Sequence, residues 1–173
     1  SENFNDGVGQ WITSGDWGLT NNPSYGAFAL TDSPSGDYGA EQTTTAVLNE
    51  QFDFSFLVNP YVSFSARWEI EDGFDFVRFE ALTPDNGWVS LEGMYTVLGN
   101  GVTVQPLGEP GYDGDQLSWV GEKIFLDQLN DQRPTAFRFI QNSDELYEGD
   151  GFTVDNFMLM GFMQGAYGDF FPD

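Results

Sequence analysis

Cysteine and histidine are both missing from these 173 residues. Without cysteine there is no disulfide, no thiolate nucleophile and no thiolate metal site. Without histidine, neither the Ser-His-Asp and Cys-His arrangements nor the usual catalytic zinc ligands can be assembled. Peptidase, esterase and zinc-hydrolase chemistry fall together. Glycoside hydrolysis by paired carboxylates is the one enzymatic route left. Positive charge is nearly as scarce. Arg67, Arg78, Lys123, Arg133 and Arg138 stand against 28 acidic residues, for a formal net charge of −23. Scattered along the chain, these five form no patch, so nucleic acid and anionic membranes are unsuitable partners. No apolar run approaches the roughly 20 residues needed to span a bilayer, and membrane insertion is not expected. The chain opens at Ser1 without a signal-peptide pattern. The expectation is one domain, residues 1–173, excised from a larger secreted or cell-surface protein whose targeting segment lay upstream.

What is present favours strands. The chain holds 17 Phe, 5 Trp and 7 Tyr, with 21 Gly and 8 Pro to punctuate them. Such aromatic runs between turn residues suit half-buried pleated surfaces better than helices. Short alternating segments separated by Gly, Asn, Asp and Pro clusters read as an all-β sandwich of ten to fourteen strands in two sheets. Residues 61–70 alternate most cleanly. Val62, Phe64, Ala66, Trp68 and Ile70 share one side, and Tyr61, Ser63, Ser65, Arg67 and Glu69 the other. The turn at Glu71-Asp72-Gly73 leads into a strand over 74–82, and Pro84-Asp85-Asn86-Gly87 into one over 88–91. Strands are also expected at 2–4, 17–20, 27–31, 43–47, 123–126 and 135–141. A central strand is expected at 152–160, and the Gly-rich tail 161–173 adds an edge strand or leads to another domain.

Acidic residues gather in four turns: Glu2 with Asp6, Asp32 to Asp37, Glu71 to Asp75, and Asp144 to Asp155. Calcium takes six to eight oxygens, and Asp-, Ser- and Gly-rich loops supply them with little steric hindrance. None of the four has EF-hand spacing, so any calcium must be held by segments distant in sequence. Asp155 lies alone in an apolar strand, where an unpaired carboxylate is costly. It either faces solvent at a strand end or ligates a metal. Trp68 follows the alternation into the core. Trp11, Trp17, Trp88 and Trp119 flank turns, where a ring either packs at the rim or stacks on a sugar or peptide; Tyr25, Tyr38 and Tyr112 leave the same choice open.

The ordered set of motifs resembles a recurring accessory domain of secreted bacterial zinc carboxypeptidases, akin to MAM-type and gingipain cleaved-adhesin jelly rolls. It runs from Glu2-Asn3-Phe4 through Gly15-Asp16-Trp17-Gly18-Leu19-Thr20, Leu30-Thr31-Asp32-Ser33-Pro34-Ser35-Gly36-Asp37-Tyr38 and Val62-Ser63-Phe64 to Arg67-Trp68. Gly73-Phe74-Asp75-Phe76, Tyr112-Asp113-Gly114, Trp119-Val120-Gly121-Glu122, Phe137-Arg138-Phe139 and Gly149 to Phe157 complete it. The stretch 99–111 is individual to this chain. The resemblance implies a two-sheet antiparallel jelly-roll sandwich, structural Ca2+ and no catalysis. Carried over, Glu2 and Asp155 meet around one calcium with Asp32 and Asp37 closing over it, and Asp72, Asp75 and Asp150 hold a second. The expected role is a calcium-stabilised accessory domain beside a catalytic domain, contacting a protein or glycan substrate. The alternative is a carbohydrate-binding module presenting Trp88, Trp119 and Tyr112. A two-carboxylate glycosidase would need a cleft that a sandwich of this size rarely offers.

Overall fold

The computed structural model describes residues 3–55 and 57–163. Twelve strands occur among them: β1 (Trp11–Thr13), β2 (Gly18–Thr20), β3 (Ala29–Thr31), β4 (Thr43–Leu48), β5 (Leu57–Ile70), β6 (Phe76–Thr83), β7 (Gly87–Ser90), β8 (Val97–Leu98), β9 (Pro110–Gly111), β10 (Gly114–Phe125), β11 (Ala136–Asn142) and β12 (Gly151–Met163). Ten of them form two five-stranded antiparallel sheets, β1-β4-β11-β6-β7 and β10-β5-β12-β3-β2, and β8 pairs with β9 in a small ribbon. This is the two-sheet sandwich expected from the alternation. β12 sits at the centre of the second sheet, between β5 and β3. Its near-continuous apolar sequence is explained by that position.

Phenylalanine fills the space between the sheets. Phe79, Phe137 and Phe139 point inward from the first sheet, and Phe64, Phe152 and Phe157 from the second; all are buried. Phe139 is the hub, with ring centres 4.9 Å from Phe79, 5.3 Å from Phe64 and 5.4 Å from Phe152. Each buried ring contributes roughly 2–3 kcal/mol by area, and each tilted pair about 0.5–1.5 more. Strand β12 would drive the wrong faces inward if it alternated without interruption. Its pairing with β5 skips between Asp155 and Met158, and Asn156 takes a left-handed φ of 52° there. This bulge turns Phe157 into the core while Asp155 stays on the outer side.

Several local expectations are corrected. Trp11 and Trp17 do not sit at the rim. Both are buried, stacked on Phe139 at 5.6 and 6.0 Å, and β1 itself was not anticipated. The strand expected at 123–126 begins nine residues earlier, at Gly114. Its polar first half hides the alternation, and the register breaks between Gln116 and Val120. Leu126–Leu129 instead form a one-turn 3-10 helix. Asn3 and Phe4 are not in a strand. Glu2 lies outside the described residues, as does the tail beyond residue 163.

Candidate functional site

Alternation along β6 sends Val77, Phe79 and Ala81 into the core, so Arg78, Glu80 and Leu82 face outward. On β11, Phe137 and Phe139 point inward, and Arg138, Ile140 and Asn142 outward. The register places Arg138 opposite Glu80, Ile140 opposite Arg78, Ser90 opposite Glu80 and Trp88 opposite Leu82. One carboxylate thereby receives two guanidinium groups. Arg138 Nε donates to Glu80 at 2.5 Å and Arg78 Nη1 at 2.9 Å, with Ser90 Oγ at 3.4 Å. Glu80 is 2 % exposed, buried beneath its own partners. The Arg138 guanidinium carbon lies 4.2 Å from the centre of the partly exposed Trp88 ring, within cation–π range. Outward positions on β1 and β4 are Ile12, Thr43, Thr45 and Val47. Glu80 is therefore the single carboxylate among the outward strand positions named on this face. The cluster carries a net charge of about +1 on a chain whose total is −23.

A different chemistry occupies one end of the sandwich, where the β5–β6 turn meets the β11–β12 loop. Glu71, Asp75 and Asp144 present oxygens within 4.8 Å of one another, close enough to share a cation. Asp75 is buried. Its Oδ2 accepts from Tyr38 Oη at 2.7 Å and its Oδ1 from the Asp144 amide at 2.7 Å. Glu71 Oε2 is shielded from solvent with no hydrogen-bond partner among the described residues. Desolvation, with the nearby negative charges of Asp144 and Glu148, raises the pKa of both Glu71 and Asp75. Beside them a cleft of about 550 Å³ is lined by Glu69, Asp72, Asp115, Tyr147 and Glu148 among others. This donor set of hard oxygens suits calcium.

Glu2, of the first expected ligand set, lies outside the described residues. Asp155 does not face solvent, and among the described residues its partners are backbone amides and a hydroxyl rather than a carboxylate. Fully buried, it anchors a loop: Oδ2 accepts from Ser24 N (3.0 Å), Ser24 Oγ (2.9 Å) and Tyr25 N (3.2 Å), and Oδ1 from Asn156 N (2.7 Å). Asp32 accepts from the Phe152 amide at 2.9 Å, leaving its other oxygen buried and without a partner among the described residues. Burial, opposed by that amide and by Ser33, pushes its pKa up to about 7. Gly151 begins β12 at φ 76°, and glycine is required there on two counts: that φ is left-handed, and a Cβ would meet Asp32 Oδ1 at 2.0 Å. Asp37 is exposed. The second set is also regrouped. Asp75 keeps Glu71 and Asp144 for company, Asp72 is exposed, and Asp150 pairs with Arg67 at 3.1 Å.

Two of the three expected ligand-facing aromatics remain at the surface. Trp88 belongs to the Arg138 cluster. Trp119 is partly exposed on the other sheet, with the Arg67 guanidinium carbon 5.7 Å from its ring centre. Tyr112 is a correction. It is 0 % exposed, its ring 4.9 Å from Phe152 and its hydroxyl bonded to buried Glu122 at 2.9 Å. Glu122 also accepts from the Met94 and Tyr95 amides, at 2.7 and 3.1 Å, fixing that loop as Asp155 fixes Ser24 and Tyr25. The sequence offered no sign of the Arg78–Glu80–Arg138 cluster, which depends on register between strands 58 residues apart.

The sequence matches no protein-family model and no curated protein. Solved structures of similar shape include a cleaved adhesin domain of Lys-gingipain from Porphyromonas gingivalis, at 12% identity and TM-score 0.55, over 92% of this chain and 96% of that one. A carbohydrate-binding module specific for non-crystalline cellulose aligns over 92% of both chains at 19% identity and TM-score 0.54. A family 11 carbohydrate-binding module of a cellulosomal cellulase from Clostridium thermocellum aligns over 96% and 95%, at 16% identity and TM-score 0.52. The chain has the jelly-roll fold. At these identities the likeness speaks to the fold, and the surface chemistry must come from this chain's own residues.

Proposed function

We propose that this jelly roll is a non-catalytic, calcium-stabilised domain that binds glycan on the outer face of the β1-β4-β11-β6-β7 sheet. The observation that carries the binding reading is Trp88 beside the Arg138–Glu80–Arg78 cluster. An aromatic ring flanked by fixed hydrogen-bonding groups is the combination that sugar rings require, one face apolar and an edge of hydroxyls. Trp119 with Arg67 offers a smaller version on the opposite sheet. The sequence resemblance to accessory domains of secreted bacterial zinc carboxypeptidases supports a place beside a catalytic domain outside the cell. Affinity electrophoresis of the full chain through a panel of neutral and acidic polysaccharides tests the binding claim. At least one should retard the wild type, and Trp88→Ala should abolish the retardation while its melt stays cooperative. A panel without any retardation would remove the glycan reading.

The calcium half rests on Glu71, Asp75 and Asp144. Three carboxylates in mutual repulsion, one with a buried oxygen lacking a donor, gain most from a divalent cation. At calcium a hundredfold above its dissociation constant, one site adds about 2.7 kcal/mol. For a chain of this length that is a melting shift of roughly 5–10 °C. Chelation should therefore lower Tm by that amount at pH 8 and by less at pH 5, where protons compete for the same oxygens. Glu71→Gln should shrink the response. A melt indifferent to EDTA at pH 8 would dispose of this part.

A further inference from the structure

We propose that the glycan held on this face is acidic, a chain bearing carboxylates such as a polyuronate; the inference rests on the glycan-binding reading and narrows it. What decides the ligand is which hydrogen-bonding groups the face has left to offer. Glu80 is the face's strong acceptor, and both its oxygens are already taken, by Arg138 Nε and by Arg78 Nη1. Arginine carries five N–H donors and no acceptor. The Nη groups of Arg138 remain outside the Glu80 pairing. A neutral sugar hydroxyl both donates and accepts, so a face for neutral chains gains from free carboxylates. This one withholds them on a molecule with 28 to place. A carboxylate only accepts, and a guanidinium fork meets it in two parallel bonds.

Position supports the same assignment. The Arg138 guanidinium lies over the Trp88 ring, 4.2 Å from its centre, which limits that group's freedom and leaves the partly exposed remainder of the ring beside it. A uronate packed against that remainder would bring its own carboxylate to the cation. Repulsion from the rest of the chain does not forbid this. Its reach is about 8 Å at physiological ionic strength, while direct contacts between partly buried groups are screened much less. Moderate salt is therefore expected to speed association rather than slow it.

The test alters the ligand, so that the protein remains intact. Titration calorimetry of the full chain, at fixed calcium, compares an oligogalacturonate with its methyl ester and with a neutral gluco-oligosaccharide. The acid should bind at least about tenfold more tightly than its ester, the worth of one charge-assisted contact. Arg138→Gln should reduce the acid to the level of the ester. Equal affinity for acid and ester, or binding of the neutral oligosaccharide alone, would overturn the acidic-ligand assignment and leave the glycan reading standing. Silence from all three, with no retardation across the polysaccharide panel, would overturn both.

Discussion

Replacing Glu80 with alanine should lower the melting temperature by about 6–12 °C, the largest effect expected of any single change on the sheet surfaces. The residue looks like a surface position by alternation, and surface ion pairs are ordinarily worth under about 1 kcal/mol. This one differs because its side chain is 3 % exposed and those of its partners only 16 % and 20 %. Deleting one member of a buried group leaves the others without solvent or counter-charge, at roughly 3–5 kcal/mol. Both arginines retain some access to water, which favours the lower end. About 3 kcal/mol corresponds to the stated shift for a domain of this length. Arg138→Ala should do less harm, because Arg78 still neutralises Glu80. Thermal melts of the two variants check the ordering. Equal, small shifts would mean that the cluster is dispensable to the fold.

Acid should stabilise the protein between pH 8 and pH 5, and Asp32→Asn should remove much of that dependence. Burial raises the folded-state pKa of Asp32 from 3.8 to about 7. The folded chain thus holds a proton that the unfolded chain releases. Stability from this group is complete below about pH 4 and is lost as pH rises through about 7. The interval corresponds to roughly 4 kcal/mol at most, and the part between pH 5 and 7 to roughly 2–3. Glu71 and Asp75, raised in the same direction, add to the trend in the absence of calcium. Melts in EDTA across this range should slope downward for the wild type and less steeply for Asp32→Asn. The variant keeps a carbonyl oxygen for the Phe152 amide and should gain at pH 8. A wild type most stable at pH 8 would contradict the account.

Period-two patterns were legible from the sequence wherever one face of a strand is apolar. Residues 61–70 show that alternation, while 152–160 stand out as a near-continuous apolar run, and both lie in the middle of the second sheet. Where pairing is irregular the signal failed. The front half of β10 is polar and broken in register, and β1 is three residues long. Trp11 and Trp17 flank turns, and nothing local reveals that Phe139 waits beneath them. The carboxylates were harder. A lone Asp155 in an apolar strand admits water or metal as its partner when the strand is read alone. The actual donors, Ser24 and Tyr25, arrive from 130 residues away. Acidic turns at 71–75 and 144–155 were recognised as segments, but which side chains converge depends on how two loops fold over the same end. Glu80 and its arginines were invisible for a related reason. Cross-strand neighbours exist only after registration.

The arrangement of strands at the sheet margins has its own consequence. Three of the four outer strands, β1, β2 and β7, are three or four residues long, and the fourth, β10, is interrupted between Gln116 and Val120. Unpaired amide and carbonyl groups along a long, flat margin invite strand addition from another chain. Here such a ladder would run out after one or two rungs or meet a break. A chain with no disulfides and a net charge of −23 is thereby kept from growing into fibres by geometry as well as by like-charge repulsion.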